Sequence, residues 1–449
     1  MKQGTHILHR QIHDQLPMAI KGDGPYIIDS KGKRYLDASG GAAVSCLGHS
    51  HPRIIAAIKE QVDQLAFAHS RFFTSEPAEA LADFLITRAP TGIEHVYFVS
   101  GGSEAVEAAL KISRQFYLEK GESGRHKFIA RRQSYHGNTL GALSVGGNML
   151  RRKQFQPLLM DSEHVSPCYP YRDRRFGESL EQYGLRVANE LEQRIQAVGA
   201  ETVIAFVAET VGGASAGVLV PAPGYWQRIR EICNQYDILL ILDEVMCGMG
   251  RTGTLFACEQ ENLQPDIVAV AKGLGAGYQP IGAMLCSDEI YNTISEGSGF
   301  FQHGHTYMGH STACAAALAV QEVIEEDNLL ENVRLRGAEL GDELRHRFAA
   351  HPVIGDIRGR GLFWGLELVA DKDSKAPIDS ACKIHEHIKQ QAMSAGLICY
   401  PGGGTIDGER GNHILLAPPF TITSEHVTEI GEKLAKSLDR ALEVAGVQV

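Results

Sequence analysis

Lys272 stands at the end of an apolar run, in "DIVAVAKGLGAGYQPIGAM", between a strand-like "IVAVA" and a glycine-rich loop. An ammonium at the inner edge of a core strand is costly unless its charge is paired or its proton is lost. Such a lysine is a salt-bridge partner, a phosphate ligand or a nucleophile. A second apolar run, "ILLILDEV", ends in Asp243 and Glu244. An acid there can hold a metal, act as a base, pair with a protonated ring nitrogen, or simply meet solvent. In "FVSGGSEAVEAALKISRQFY" a strand gives way to Gly101, Gly102 and Ser103, and then to a strong helix pattern. Free N–H groups at a helix N-terminus bind phosphate, and glycines let it approach. A serine cap with glycines for the turn is spelled the same way. In "RRQSYHGNTLGALS", Tyr135 and His136 form an aromatic–imidazole pair. The tyrosine can stack on a flat ring or be an ordinary loop residue.

These residues need elements to hold them. From about Pro52, helical periodicity ("RIIAAIKEQVDQL", "PAEALADFLITRA") alternates with short apolar strands: "HVYFVS", "KFIAR", "VIAFVAE", "ILLILDE", "DIVAVA" and "GAMLCS". Strands alternating with helices imply βαβ units and a mostly parallel sheet covered on both faces. Open sheets of this kind place ligands at the carboxyl ends of their strands, which is where Lys272, Asp243 and the Gly-Gly-Ser turn fall. The opening "GDGPYIIDSKGKRYLDASGGAAVSCLGHSHP" reads as short strands and turns. A long helix is expected from Ser311 through "STACAAALAVQEVIEEDNLLENVRLRGAELGDELRHRFAA". An α+β region follows, with strands in "IGDIRGRGLFWGLELV", "LICYP" and "HILLAPPF" and a helix near "SACKIHEHIKQQAMSAG".

Several classes of function are set aside. The chain has 449 residues and a net charge of −11. Neither nucleic acid nor an anionic membrane is an expected partner, since both call for basic surface. No apolar run is long enough to span a bilayer, and "MKQGTHILHRQIHDQLPMAI" has no apolar leader core. Nine scattered cysteines with no CxxC point to a reducing compartment, the cytoplasm. "GMGRTG" fits GxGxxG, but no strand abuts it and no good helix follows. There is no Walker loop and no GxSxG elbow. The His-x-His pairs in "GHSHP" and "HGHTYMGH" lack further ligands at a recognisable spacing, so no metal is expected.

The segments "GGSEAVEAALK", "YHGNTLGA", "LILDEVMCGMGRTGTLFACE", "PDIVAVAKGLGAGYQPIGA" and "HGHTYMGHSTACAAALA" occur together in the order and spacing of one family. From about Tyr26 to Phe420 the chain resembles the class III (omega-amino-acid) aminotransferases, which use pyridoxal 5′-phosphate (PLP). The resemblance implies the α/β fold of PLP-dependent transferases of fold type I. That fold has a mostly parallel central sheet with helices on both faces, and a small α+β domain built from both chain ends. Residues 1–60 would form an N-terminal segment of the small domain, 61–325 the large PLP-binding domain, and 326–449 the C-terminal small domain.

The resemblance also implies roles. Lys272 would bind PLP covalently through its amine and then serve as general base. Asp243 would pair with the pyridine N–H⁺. Tyr135 would stack on one ring face, with His136 beside it, and Val245 would pack on the other. Gly102 and Ser103 would bind the phosphate. Thr306 resembles the position that donates to the phosphate of a neighbouring subunit. A homodimer with shared active sites is then the minimum unit, with a tetramer left open. Glu209 resembles the glutamate near the phenolic side of the cofactor.

Departures from the family inform the substrate. The second acid of the 4-aminobutyrate and ornithine branches is Ala214 here, and their arginine after "YHG" is Asn138. Both changes remove charge suited to a second carboxylate such as that of 2-oxoglutarate. The pattern is more similar to the amine:pyruvate and β-alanine:pyruvate branch, with Ala43 where that branch often carries Trp. A carboxylate-binding arginine is expected near "TIDGERGNHILLAPPF", where Arg410 is the candidate, so Tyr26, Ala43 and Arg410 are the candidate substrate contacts. The expected reaction moves an amino group from an ω-amino acid or terminal amine to a small 2-oxo acid, pyruvate foremost, by a ping-pong mechanism. An aminomutase, racemase or decarboxylase on the same scaffold is the alternative, because sequence does not fix which substrate bond stands perpendicular to the ring.

Overall fold

A computed structural model describes residues 5–447. Residues 1–4, the start of the stretch read as lacking a leader core, lie outside the described residues, as do 448–449. The strands, in chain order, are β1 Ala19–Asp23, β2 Tyr26–Asp29, β3 Arg34–Asp37, β4 Ile93–Val99, β5 Lys127–Arg131, β6 Glu163–Val165, β7 Val203–Glu209, β8 Leu239–Asp243, β9 Ile267–Val270, β10 Gly282–Ser287, β11 Ile354–Arg360, β12 Phe363–Leu368, β13 Leu397–Ile398, β14 Tyr400–Gly403 and β15 Asn412–Leu416.

The central sheet has seven strands in the order β4-β10-β9-β8-β7-β5-β6. The β5–β6, β5–β7, β7–β8 and β8–β9 pairings are parallel. Only β10 runs against its neighbours, β4 and β9. Every residue of β7 and β8 is buried, as expected for strands covered on both faces. Their side chains alternate between two cores. Leu240 and Leu242 join Phe206, Trp226 and Val268 on one face. Leu239 and Ile241 join Val207, Ala269 and the helix Gly102–Glu119 on the other. This period of two is what a pleated strand imposes.

Two four-stranded sheets are built from the chain ends, β1-β2-β3-β13 and β11-β12-β15-β14. A division near residues 60 and 325 therefore leaves the seven-stranded sheet to the middle of the chain and both small sheets to its ends. We propose that division as the domain organisation, with the helix Pro52–Gln64 bridging the first border. "LICYP" is not one strand: β13 joins the first small sheet and β14 the second, on either side of Cys399. The long helix expected from Ser311 is also two helices, Ser311–Glu326 and Leu329–Phe348. Asn328 breaks it by taking a left-handed φ of 51°, a conformation its short side chain tolerates better than most.

Candidate active site

The site lies across the carboxyl ends of β7, β8 and β9. Glu209, the last residue of β7, sits beside Asp243, the last of β8. Asp243 in turn sits beside Ala269 of β9, and Lys272 follows three residues later. Parallel register alone thus gathers two carboxylates and an amine into one row.

Asp243 is 4% exposed. Its Oδ1 accepts the N–H of Val245 at 2.9 Å, and its Oδ2 lies 2.8 Å from Nδ1 of His136. Each oxygen keeps a lone pair for a further donor. His136 is buried, and its Nε2 has no partner among the described residues. Glu209 is buried as well. Burial raises its pKa, and the N–H of Gly213 donates to its Oε1 at 3.0 Å.

Lys272 takes a left-handed φ of 47°, a strained setting for a residue with a Cβ. Burial lowers its pKa to about 8, against the pull of Asp243 and Glu209. No hydrogen bond or ion pair engages its amine among the described residues. A strained, desolvated and unpartnered lysine is poised to act as a nucleophile or base rather than as a structural cation.

The turn after β4 presents free amides at a helix N-terminus, an arrangement that suits an anion. The N–H groups of Gly102 and Ser103 open the helix Gly102–Glu119 without an acceptor among the described residues. A Cβ on Gly102 would stand 2.7 Å from Val245 Cγ1, so glycine is what lets the β8 loop reach the helix end. The Ser103 hydroxyl accepts the N–H of Asn138 at 3.1 Å and keeps its own proton to donate. Tyr135 is partly buried, with Arg151 over its ring at 4.6 Å.

The remaining candidates are spread more widely. Ala43 is buried against Val211, Met246 and Phe363, with Ala214 and Tyr400 packed on the same cluster. It ends a left-handed turn in which Gly40, Gly41, Ala42 and Ala43 have φ of 56°, 60°, 67° and 66°. A Cβ on Gly40 would lie 2.7 Å from the carbonyl oxygen of Ala417, which fixes glycine there. Tyr26 donates its hydroxyl to Glu429 at 2.7 Å and sits under Arg34, within the small-domain core. Arg410 is 65% exposed and closed by Asp407 at 2.7 Å. Thr306 is exposed in an irregular segment. None of these last three makes a hydrogen bond or ion pair with Lys272, Asp243, His136 or Glu209 among the described residues. Sequence reading did not single out Arg151 or Tyr400, because neither lies in a family motif; the fold sets Arg151 on the Tyr135 ring and Tyr400 on the Ala43 cluster.

The row fits pyridoxal 5′-phosphate. Free amides meet a phosphate, a buried carboxylate with spare lone pairs meets a ring N–H⁺, and an unpartnered amine meets an aldehyde carbon. No group of three or more His, Cys, Asp or Glu side chains is placed to hold a metal ion among the described residues. No helix among them is long and apolar enough to cross a membrane.

This combination of fold and site defines a PLP-dependent enzyme of fold type I. The model of the aminotransferase class-III family matches residues 8–438, and the chain belongs to that family. An uncharacterized aminotransferase of Schizosaccharomyces pombe is 45% identical over 435 residues, 97% of this chain and 95% of the relative. The omega transaminase of Pseudomonas jessenii in complex with PMP superposes with a TM-score of 0.91 at 36% identity, covering 97% of this chain and 94% of that one. An omega transaminase variant engineered for asymmetric synthesis of enantiopure bulky amines gives a TM-score of 0.90 at 36% identity, over 96% and 95% of the two chains.

Proposed function

We propose that this class III aminotransferase takes the amino group of an ω-amino acid or terminal amine and gives it to pyruvate or a similar small 2-oxo acid. The observation that carries the substrate reading is the neutral character of positions 138 and 214. Asn138 and Ala214 offer no charge to a second carboxylate, and Ala43 presents only a methyl group beside Met246 and Phe363. A structural relative engineered for synthesis of bulky amines fits a small residue there.

PLP supplies the electron sink that makes the substrate Cα–H acidic. The protein's own residues supply the rest. The Lys272 Nζ would hold the cofactor and, when free, would take the proton from the substrate carbon and return it. The Asp243 carboxylate, its direction fixed by the Val245 N–H and His136, would hold the ring N–H⁺. The N–H groups of Gly102 and Ser103 and the Ser103 hydroxyl would bind the phosphate. Tyr135 and Val245 would hold the ring, with Glu209 as a further carboxylate near it. Thr306, exposed on its own subunit, donates to the phosphate of a second copy, so the working unit is a homodimer. The nine cysteines are free thiols, which supports a reducing compartment, the cytoplasm.

Mixing holoenzyme with β-alanine and no acceptor should bleach the visible cofactor band, and pyruvate should restore it. Pyruvate should exceed 2-oxoglutarate in kcat/KM by about 10- to 100-fold, the worth of one unmatched carboxylate. A preference for 2-oxoglutarate would sink the substrate reading.

The amine also has a pH signature. With its pKa lowered to about 8, Lys272 is about a tenth neutral at pH 7, against well under a thousandth for an exposed lysine. Only the neutral amine attacks an aldehyde. PLP capture by the apo-protein, followed by absorbance, should rise tenfold per pH unit below about 8 and level off above it. A rate that climbs steadily to about pH 10 would mean an ordinary lysine.

A further inference from the structure

The helix Ser311–Glu326 is buried through Ala316, Ala317, Ala319, Val320, Val323 and Ile324. One residue among them breaks the apolar pattern. Gln321 is 1% exposed. A buried amide is costly unless its groups are hydrogen-bonded, and an apolar side chain of the same size carries no such cost. The Gln321 Nε2 donates to the carbonyl oxygens of Gly273 at 3.0 Å and Leu274 at 2.9 Å. Its Oε1 has no partner among the described residues. The partners settle the orientation, because a flipped amide would set its oxygen against two acceptors. Gln321 therefore directs both donors at one turn and leaves its acceptor unused.

That turn is the one that carries Lys272. It is a short 3₁₀ turn, Lys272–Leu274. The Leu274 N–H donates to the Ala271 carbonyl at 2.9 Å, and the Ala276 N–H to the Lys272 carbonyl at 2.8 Å. The turn begins with a left-handed residue, Lys272 at φ 47°, and another follows it closely, Ala276 at φ 50°. Such backbone persists only where its surroundings over-determine it. Met249 is one support: a Cβ on Gly273 would lie 3.1 Å from the Met249 Cβ. The Gln321 amide, bridging two successive carbonyls, is the other. The Cys46 thiol adds a weaker contact to the Gly273 oxygen at 3.6 Å.

We infer that Gln321 is a positioning residue for Lys272, holding the strained turn so that the amine stays in the row of Asp243 and Glu209; the assignment rests on the role given to Lys272 above. Gln321 acts through the backbone and not on the amine itself. The two peptide planes it fixes begin one residue past the lysine. Two amide–carbonyl bonds are together comparable with the strain of one left-handed residue, so their loss frees Lys272 to leave that conformation. The amine then gains water and recovers its ordinary basicity.

The test compares the parent with Gln321→Met, which keeps the volume and loses the donors, and Gln321→Glu, whose buried neutral carboxyl keeps one donor. Asn332→Leu is the control, since Asn332 bridges the carbonyls of Phe420 and Ile422 in the same manner, away from Lys272. The first readout needs no turnover: the pH midpoint of PLP capture by the apo-protein, with borohydride reduction and mass spectrometry to place the label. The second is kcat and KM with whichever of β-alanine and propylamine the parent turns over faster. Gln321→Met should raise the midpoint from about 8 by about one unit and lower kcat about 10-fold, with KM within about twofold of the parent. Gln321→Glu should fall between the two. Asn332→Leu should lower the melting temperature but keep the parental midpoint and kcat. A Gln321→Met that melts earlier yet keeps the parental midpoint and kcat overturns the inference, because the amide is then a packing group alone. Should that variant not fold, Gln321→Glu decides by the same two readouts. A parent labelled on a lysine other than Lys272 overturns the role of Lys272 itself, and the inference with it.

Discussion

Lys272→Ala is expected to lose turnover by about 10⁴-fold or more while still binding PLP, because it removes both the covalent anchor and the general base. The fold should tolerate the change. The side chain makes no hydrogen bond or ion pair among the described residues, and removing a desolvated amine relieves a cost rather than breaking a contact. Alanine does inherit the left-handed φ of 47° at this position, a penalty of about 1 kcal/mol. The phosphate cradle at Gly102 and Ser103 and the carboxylate of Asp243 remain, so PLP should stay with the protein noncovalently. Borohydride reduction followed by mass spectrometry should label the parent and not the variant. A small amine such as methylamine, entering the space left by the side chain, should restore part of the rate. A variant that turns over normally would falsify the assignment of Lys272 as both anchor and base.

How much of this was legible in the sequence depends on how local each signal is. The strands of the central sheet announce themselves because both faces are covered, so each is an unbroken apolar run. Lys272 and Asp243 were visible for the same reason: a charge closing such a run is costly, and the cost marks it. The three-residue β6 was not visible, since "EHV" carries no pattern at that length. The split at Asn328 was hidden inside a long helical periodicity, because a single left-handed residue leaves the apolar spacing intact. The left-handed turn at Gly40–Ala43 was read only as small residues. Its meaning depends on the Ala417 carbonyl, more than three hundred residues away. Arg410 shows the same limit from the other side: nearness to a motif recommended it, but the fold leaves it exposed and closed by Asp407. Asp243, which closes a strand, and Lys272, just past the end of one, were readable in sequence, whereas contacts made by packing of distant segments were not.

Asp243→Asn is expected to cut kcat/KM by about 10²- to 10³-fold, the usual cost of removing one preorganised electrostatic partner, with the fold intact. The geometry says how the amide must settle. The N–H of Val245 is a fixed donor, so the amide oxygen has to keep the Oδ1 place, 2.9 Å away. The amide nitrogen then falls on the His136 side, where the carboxylate oxygen stood 2.8 Å from Nδ1. Two donors cannot face each other there, so the imidazole must give up its Nδ1 proton and carry it on Nε2, which is buried and has no partner among the described residues. That switch costs little enough for folding but leaves an N–H pointing where the ring proton of PLP needs an acceptor. The ring is then held neutral, and the substrate Cα–H loses most of its acidity. Melting temperature and PLP content should stay near the parent values, while the visible band shifts and the primary deuterium isotope effect at the substrate carbon grows, as proton removal becomes fully rate-limiting. Asp243→Glu keeps the charge but pushes it one methylene toward the ring, so it should lose rate without the same spectral shift. If Asp243→Asn keeps both the parental rate and the parental spectrum, Asp243 is a structural partner of His136 and Val245, and some other group holds the ring proton.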